Sequence, residues 1–300
     1  MGAAGQRTGR RALYRHYRMR IPRAVYRIQF TPDFTFSDCA DLVPYLSALG
    51  VSDIYASPVF SARPESSHGY DVTDPRIINP KLGGEEAFRD LLVRVRAAGM
   101  GWLQDIVPNH MAFHPDNSFL RDIFRRGPDS FFYRFFDIDW EAETSWGKGR
   151  VLAPFLGDNL QAVLDRNELV FVWTEDGFAV TYADRTWPLS FVSYPLILSL
   201  HPDTARPAQA RFSAADGDAL MKRMAKDNTT AGAVHTSLAR LNAAGDQARS
   251  LRESVLAAQY FRLSHWERSR REINYRRFFS VNELIALRAE DRVVFEISHA

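Results

Sequence analysis

Apolar and polar residues alternate along Ala24-Val25-Tyr26-Arg27-Ile28-Gln29-Phe30, and this period of two predicts a first strand. After Thr35 the period lengthens. Cys39, Leu42, Val43, Leu46 and Leu49 recur at helical spacing up to Gly50, a natural stop. Pro44 inside that pattern should kink the helix or mark its first turn. Residues 51–56 read as a second strand closed by Ser57-Pro58, followed by a long loop carrying His68-Gly69-Tyr70-Asp71-Val72. Gly83-Gly84 opens a second helix with Phe88, Leu91, Leu92 and Val95 on one face and Gly99 behind it. A third strand begins at Met100 and is stopped by Pro108, which has no N–H for a ladder, so Asn109 and His110 fall just past its C-terminal end. Strand, helix, strand, helix, strand is the signature of a parallel sheet.

Beyond His110 this rhythm breaks. Residues 111–200 are rich in aromatics, and 169–173 with 178–180, split by Glu175-Asp176-Gly177, predict a β-hairpin. Residues 214–271 turn helix-favouring and charged, with a helical pattern at 251–262. A stretch this long is no plain connecting loop, so 111–271 reads as an inserted subdomain, β-rich and then helical. Residues 272–300 read as a return toward the first sheet, with a short helix expected at 281–287.

Composition narrows the field. Three hundred residues allow one large α/β barrel or two ordinary domains. A net charge of +2 gives no reason to expect nucleic acid, and no stretch approaches the roughly 20 apolar residues of a membrane span. The single cysteine, Cys39, excludes an intramolecular disulfide and lies on the helical stripe, as a core residue would. Residues 1–22 carry six arginines between Arg7 and Arg20 and no acid. They are expected to form a basic, disordered leader, and without an apolar h-region they are not a secretory signal, which predicts a cytoplasmic protein.

The hexapeptide Asp105-Ile106-Val107-Pro108-Asn109-His110 resembles the first signature of the α-amylase superfamily of (β/α)8 glycosidases and transglycosidases. Further stretches resemble one branch, the maltooligosyltrehalose synthase family. They are Tyr55-Ala56-Ser57-Pro58, Ser67-His68-Gly69-Tyr70-Asp71-Val72, Ile78-Asn79-Pro80-Lys81-Leu82-Gly83-Gly84, Phe136-Asp137-Ile138-Asp139-Trp140 and, most specific, Glu272-Ile273-Asn274-Tyr275-Arg276-Arg277-Phe278-Phe279. The resemblance implies a fold class of α/β, the N-terminal part of a (β/α)8 TIM barrel with about three strands in residues 23–110. It also implies an intramolecular transglycosylation that turns the reducing-end α-1,4 bond of a maltooligosaccharide into an α,α-1,1 bond. The partner is then a maltooligosaccharide or α-1,4-glucan, with no cofactor and no metal expected. Such an enzyme is retaining, with one carboxylate as nucleophile and another as acid/base.

Carried over residue by residue, Tyr70 matches the aromatic platform under the sugar at the cleavage site, and His110 a histidine that hydrogen-bonds a hydroxyl of that sugar. Asp105 and Asn109 match residues bracing the rim, Asp71 is expected to order the loop, and His68 is the remaining substrate-binding candidate, equally readable as loop packing. Asp137 and Asp139 suggest a carboxylate pair but read more simply as solvated loop acids. Trp140, Trp146 and Trp187 suit sugar stacking or core packing. The family's nucleophile lies in an Arg-x-Asp-His segment on the fourth barrel strand, and its acid/base on the fifth. No Arg-x-Asp occurs in these 300 residues, so no catalytic carboxylate is assigned. The resemblance implies a fragment that stops before the fourth strand and is inactive alone, with Glu296 on a helix preceding that strand.

Overall fold

The structure is a computed structural model and describes residues 21–201, 212–224 and 226–299, so residues 1–20 of the expected leader lie outside it. In chain order the first elements are Val25–Ile28 (β1), Phe36–Ala48 (α1), Asp53–Ala56 (β2), Phe60–Ala62 (β3), Val72–Ile78 (β4), Gly84–Ala97 (α2) and Gly101–Gln104 (β5). β1, β2 and β5 form a parallel sheet in that order, with Val25 opposite Asp53 and Ile54 opposite Trp102. At the start of α1 the Asp38 carboxylate accepts from the Thr35 N–H at 2.7 Å, satisfying a donor just outside the helix. The helix buries Phe36, Cys39, Ala40, Val43 and Leu46, while Leu49 stays exposed. Pro44 sits well past the first turn, inside the helix.

The loop after β2 departs from expectation. It contains an antiparallel pair, β3 with β4, whose register shifts twice. Pro75 in the middle of β4 argues against a strand in sequence, but an irregular pair tolerates the missing donor. The buried Asp74 carboxylate accepts from the Arg76 guanidinium at 2.7 Å and the Ser118 hydroxyl at 2.7 Å. Burial raises its pKa, but these bonds and the Arg76 charge outweigh it and hold Asp74 below the usual carboxylate value.

The chain continues through His110–Ala112 (β6), Ser118–Arg126 (α3), Val151–Leu156 (β7), Leu160–Asp165 (α4), Val170–Thr174 (β8), Gly177–Tyr182 (β9), Arg185–Pro188 (β10) and Tyr194–Leu198 (α5). Ala214–Met224 (α6), Asn228–Leu241 (α7), Asp246–Ala257 (α8), Phe261–His265 (β11), Ser269–Glu272 (α9), Leu284–Ala286 (β12) and Arg292–Ser298 (α10) complete it. The expected hairpin is present as β8 and β9, extended by β10. Two helical expectations fail. The helix read over 251–262 ends at Ala257, because Phe261 and Leu263 are buried in a strand paired in parallel with β7. The helix read over 281–287 is instead β12, antiparallel to β6 with Ala286 opposite His110. In both places long-range pairing overrides local helix preference. Glu296 does lie on a helix, α10.

Among the described residues, buried apolar side chains form two clusters. One gathers residues between Ile28 and Met100, around the parallel sheet and its two helices. The other gathers residues between Met111 and Val294. The division expected at residue 110 falls inside β6. Across the two parts Glu283 accepts from Arg63 at 2.9 Å and from Arg185 at 2.5 Å. Burial pushes Glu283 upward, yet the two guanidinium partners prevail and keep its carboxyl low, as a charge-assisted clamp requires.

Candidate functional site

The C-terminal ends of the three parallel strands carry polar side chains that converge. Arg27 leaves β1, Tyr55 lies in β2, and Asp105 directly follows β5. Over them folds the loop between β3 and β4. Its Gly69 has φ +77°, and an added Cβ would lie 2.9 Å from the Pro58 carbonyl oxygen, so this approach requires glycine. The turn delivers Tyr70 onto the rim. Its hydroxyl donates to Asp105 Oδ2 at 2.5 Å, the Tyr55 hydroxyl donates to the same oxygen at 3.0 Å, and Arg27 donates to the Tyr70 oxygen at 3.1 Å. The bond to Asp105 and partial burial raise the Tyr70 pKa against the opposing pull of Arg27, so the phenol stays protonated and the ring is held at its far end.

The other loop residues support this placement. His68 Nδ1 accepts from the Tyr70 N–H at 3.0 Å, and the His68 carbonyl accepts from Gln29 at 3.2 Å. His68 therefore shapes the turn from within. Asp71 is buried, accepts from the Ser66 hydroxyl and stands 3.9 Å from His68.

His110 reaches the same rim from β6. It is 3% exposed, its Nδ1 lies 2.9 Å from Asn109 Oδ1, and its Nε2 is buried without a hydrogen bond. One face of the ring is stacked on Phe278, with centroids 4.0 Å apart and planes 10° from parallel. Burial lowers the His110 pKa below 6.5, opposed by the adjacent Tyr70 backbone and the Asp71 charge. A neutral imidazole donates through one nitrogen and accepts through the other, which suits a sugar hydroxyl. The shift also sets a pH dependence. Between the depressed folded pKa and the unfolded value near 6.5 the unfolded chain binds more protons, so stability falls as pH drops below about 6.5 and is fully present above it. An NMR titration should place the His110 midpoint below that of an unfolded reference peptide; an unshifted midpoint would mean that the ring is solvated.

Asp105, Tyr70, Asp71, His68, Asn109 and His110 thus occupy one region, linked by these bonds and by the Tyr70 backbone beside the His110 ring. Sequence reasoning did not single out Arg27, Tyr55 or Phe278. Arg27 carries only the signal of a polar side chain near a strand's C-terminal end, and the other two lie within the Tyr55-Ala56-Ser57-Pro58 and Glu272–Phe279 motifs. Asp137 and Asp139 each engage a different partner. Asp137 is ion-paired with Arg276 at 3.0 Å, and Asp139 accepts from the Glu141 N–H at 3.0 Å. Trp187 is core, stacked on Phe155, and Trp140 stacks on Tyr133. Among the described residues no group of three or more His, Cys, Asp or Glu side chains is placed to hold a metal ion, and no helix is long and apolar enough to cross a membrane.

The alpha amylase catalytic domain family matches residues 37–136, the stretch that holds β2, β5 and all six candidate residues. A Mycobacterium tuberculosis protein named as a maltooligosyl trehalose synthase is 32% identical over 284 residues, covering 92% of this chain and 28% of its own length. Over nearly all of its own length this chain is similar to the maltooligosyl trehalose synthases. The solved structures agree: a maltooligosyl trehalose synthase matches with a TM-score of 0.67 at 30% identity, over 93% of this chain and 30% of its own. The synthase from Arthrobacter ramosus matches with a TM-score of 0.64 at 30% identity, over 93% of this chain and 28% of its own. The chain therefore spans under a third of the length of the synthases it matches. The mixed α/β architecture is of the alpha-amylase type.

Proposed function

We propose that this stretch orients one sugar of a maltooligosaccharide in an enzyme of the maltooligosyl trehalose synthase kind, which moves the reducing-end glucosyl linkage from α-1,4 to α,α-1,1 within a single chain. In this reading β1, β2 and β5 are the first three strands of a (β/α)8 barrel. Residues 111–271 are a subdomain inserted after the third strand, and 272–300 lead back to the barrel. The rim site then lies where barrel enzymes hold substrate.

One observation carries the reading. Phe278, from the synthase-like octapeptide, is stacked directly on His110, from the superfamily-wide hexapeptide. The branch-specific segment thus builds part of the wall around the shared histidine. Tyr70, fixed at its hydroxyl by Asp105 and Arg27, offers a ring face to the sugar, and His110, stacked on Phe278, is the neighbour that would hydrogen-bond a hydroxyl. Asp105 already serves two phenols, so it positions rather than attacks. A retaining reaction needs two carboxyl groups about 5–5.5 Å apart across the bond. The groups identified on this rim bind and orient substrate; they are not that pair.

Calorimetry of the chain with maltopentaose and with cellopentaose tests the proposal. Maltopentaose should bind, cellopentaose should not, and Tyr70→Ala should weaken maltopentaose binding by about tenfold, the loss of roughly 1.4 kcal/mol. Equal binding of both sugars, or binding indifferent to Tyr70, would refute an α-1,4-glucan site on this rim.

A further inference from the structure

Phe278 enters a tight turn that does not hold itself. Its N–H donates to the Leu284 carbonyl at 3.0 Å and Arg277 faces Ile285, so residues 277–285 close a hairpin into β12. Phe279, within the turn, has φ +53°, an unfavourable conformation for a bulky side chain. Backbone in such a region persists only where the surroundings impose it. The surroundings here meet at Glu283. Its carbonyl accepts from the Phe113 N–H at 2.7 Å, where the β6–β12 pairing ends. Its carboxylate accepts from Arg63, just after β3, and from Arg185, in β10.

Both guanidinium groups are themselves anchored. Arg185 lies over the Phe155 ring at 4.8 Å, and Phe155 stacks on the buried Trp187. Arg63 donates its backbone N–H to the Asp71 carbonyl at 3.2 Å, next to Tyr70 in the chain. One carboxylate therefore joins the loop that delivers Tyr70, the inserted sheet and the hairpin that delivers Phe278. Stability alone does not account for this arrangement. Among the described residues Arg63 Nε finds no acceptor although it is buried, a cost that accompanies the presentation of Nη1 to Glu283. Partly buried ion networks add little net stability over apolar packing, and their best-attested use is to fix register. The register at stake is close by: His110 stands opposite Ala286, and the Phe278 ring lies 4.0 Å from the His110 ring.

We propose that Glu283 is a positioning residue: clamped by Arg63 and Arg185, it holds the hairpin so that Phe278 lies flat on His110 beside the Tyr70 loop. The effect on sugar binding rests on the functional reading above; the placement of the two rings does not.

The test combines NMR of the His110 ring protons, whose signals a stacked Phe278 displaces, with maltopentaose affinity. Phe278→Leu identifies those signals and sets their unstacked position. Glu283→Gln should move them toward that position and weaken maltopentaose binding by about fivefold, within the usual range of couplings between residues of one network. In the Phe278→Leu background Glu283→Gln should do neither. His110 signals that stay fixed in a folded Glu283→Gln variant would overturn the proposal. So would effects of equal size in both backgrounds, because Glu283 would then act on the fold and not through Phe278. If Glu283→Gln does not give a dispersed spectrum, Arg63→Gln removes one arm of the clamp and decides by the same signals. A wild-type chain that does not bind maltopentaose would refute the functional reading, and the His110 signals would then judge the positioning by themselves.

Discussion

Gly127→Ala should destabilise the fold by roughly 2–6 kcal/mol, a large share of the ~5–15 kcal/mol that typically separates folded from unfolded domains. Gly127 ends α3 with φ +56° and ψ −130°, a backbone region that L side chains rarely adopt. An added Cβ would lie 2.0 Å from a Tyr260 ring carbon, so the ring sits directly over the glycine. Strain and overlap therefore add, each worth about 1–3 kcal/mol. The Tyr260 backbone is fixed, its carbonyl accepting from the Val151 N–H at 2.9 Å at the start of the β7–β11 pairing, so the ring can give way only by turning about its own side-chain bonds. Urea unfolding of Gly127→Ala with and without Tyr260→Ala separates the two effects. The penalty should shrink to the strain alone once the ring is gone. A penalty under about 1 kcal/mol in the intact background would mean that Tyr260 does not cover Gly127.

Tyr260 also shows why the second half of the chain was harder to read. The first half was legible because its elements are made from neighbours: period two, period three to four, and glycine stops recur in the order a parallel sheet needs. Cys39, Val43 and Leu46 are buried as that pattern predicts. From residue 111 onward the strands are short, and their partners are remote. Leu284–Ala286 is three residues of helix-compatible composition, and only its pairing with His110–Ala112 makes it a strand. Phe261–His265 follows a helix without a glycine or proline between them, so nothing local announces the change. The candidate site divides in the same way. Tyr70 and His110 were visible in motifs. Arg27 holding the Tyr70 hydroxyl, and Phe278 backing His110, depend on chain approaches that no local spacing encodes. The burial of His110 was likewise not visible, because a histidine after a strand end reads as a rim residue open to substrate.

In a catalytically competent enzyme containing this stretch, Tyr70→Ala should lower kcat/KM by about 10²–10³-fold, the scale lost with one well-placed transition-state contact. Its melting temperature should change little, since Tyr70 is partly exposed and its hydroxyl partners stay bonded, Asp105 to the Tyr55 hydroxyl and Arg27 to Gln29. Tyr70→Phe keeps the ring and removes only the bonds to Asp105 and Arg27, so its loss should be nearer tenfold and report orientation alone. His110→Ala should match the larger activity loss, but with a different signature. Its ring is buried and stacked on Phe278, so the variant should also lose stability, by about 1–3 kcal/mol. That difference is the test of what each residue is for. A rate loss in Tyr70→Ala with melting unchanged assigns the tyrosine to substrate. The same rate loss with a melting shift as large as that of His110→Ala would make Tyr70 a packing residue of the loop, with its bonds to Asp105 and Arg27 serving the fold rather than the sugar.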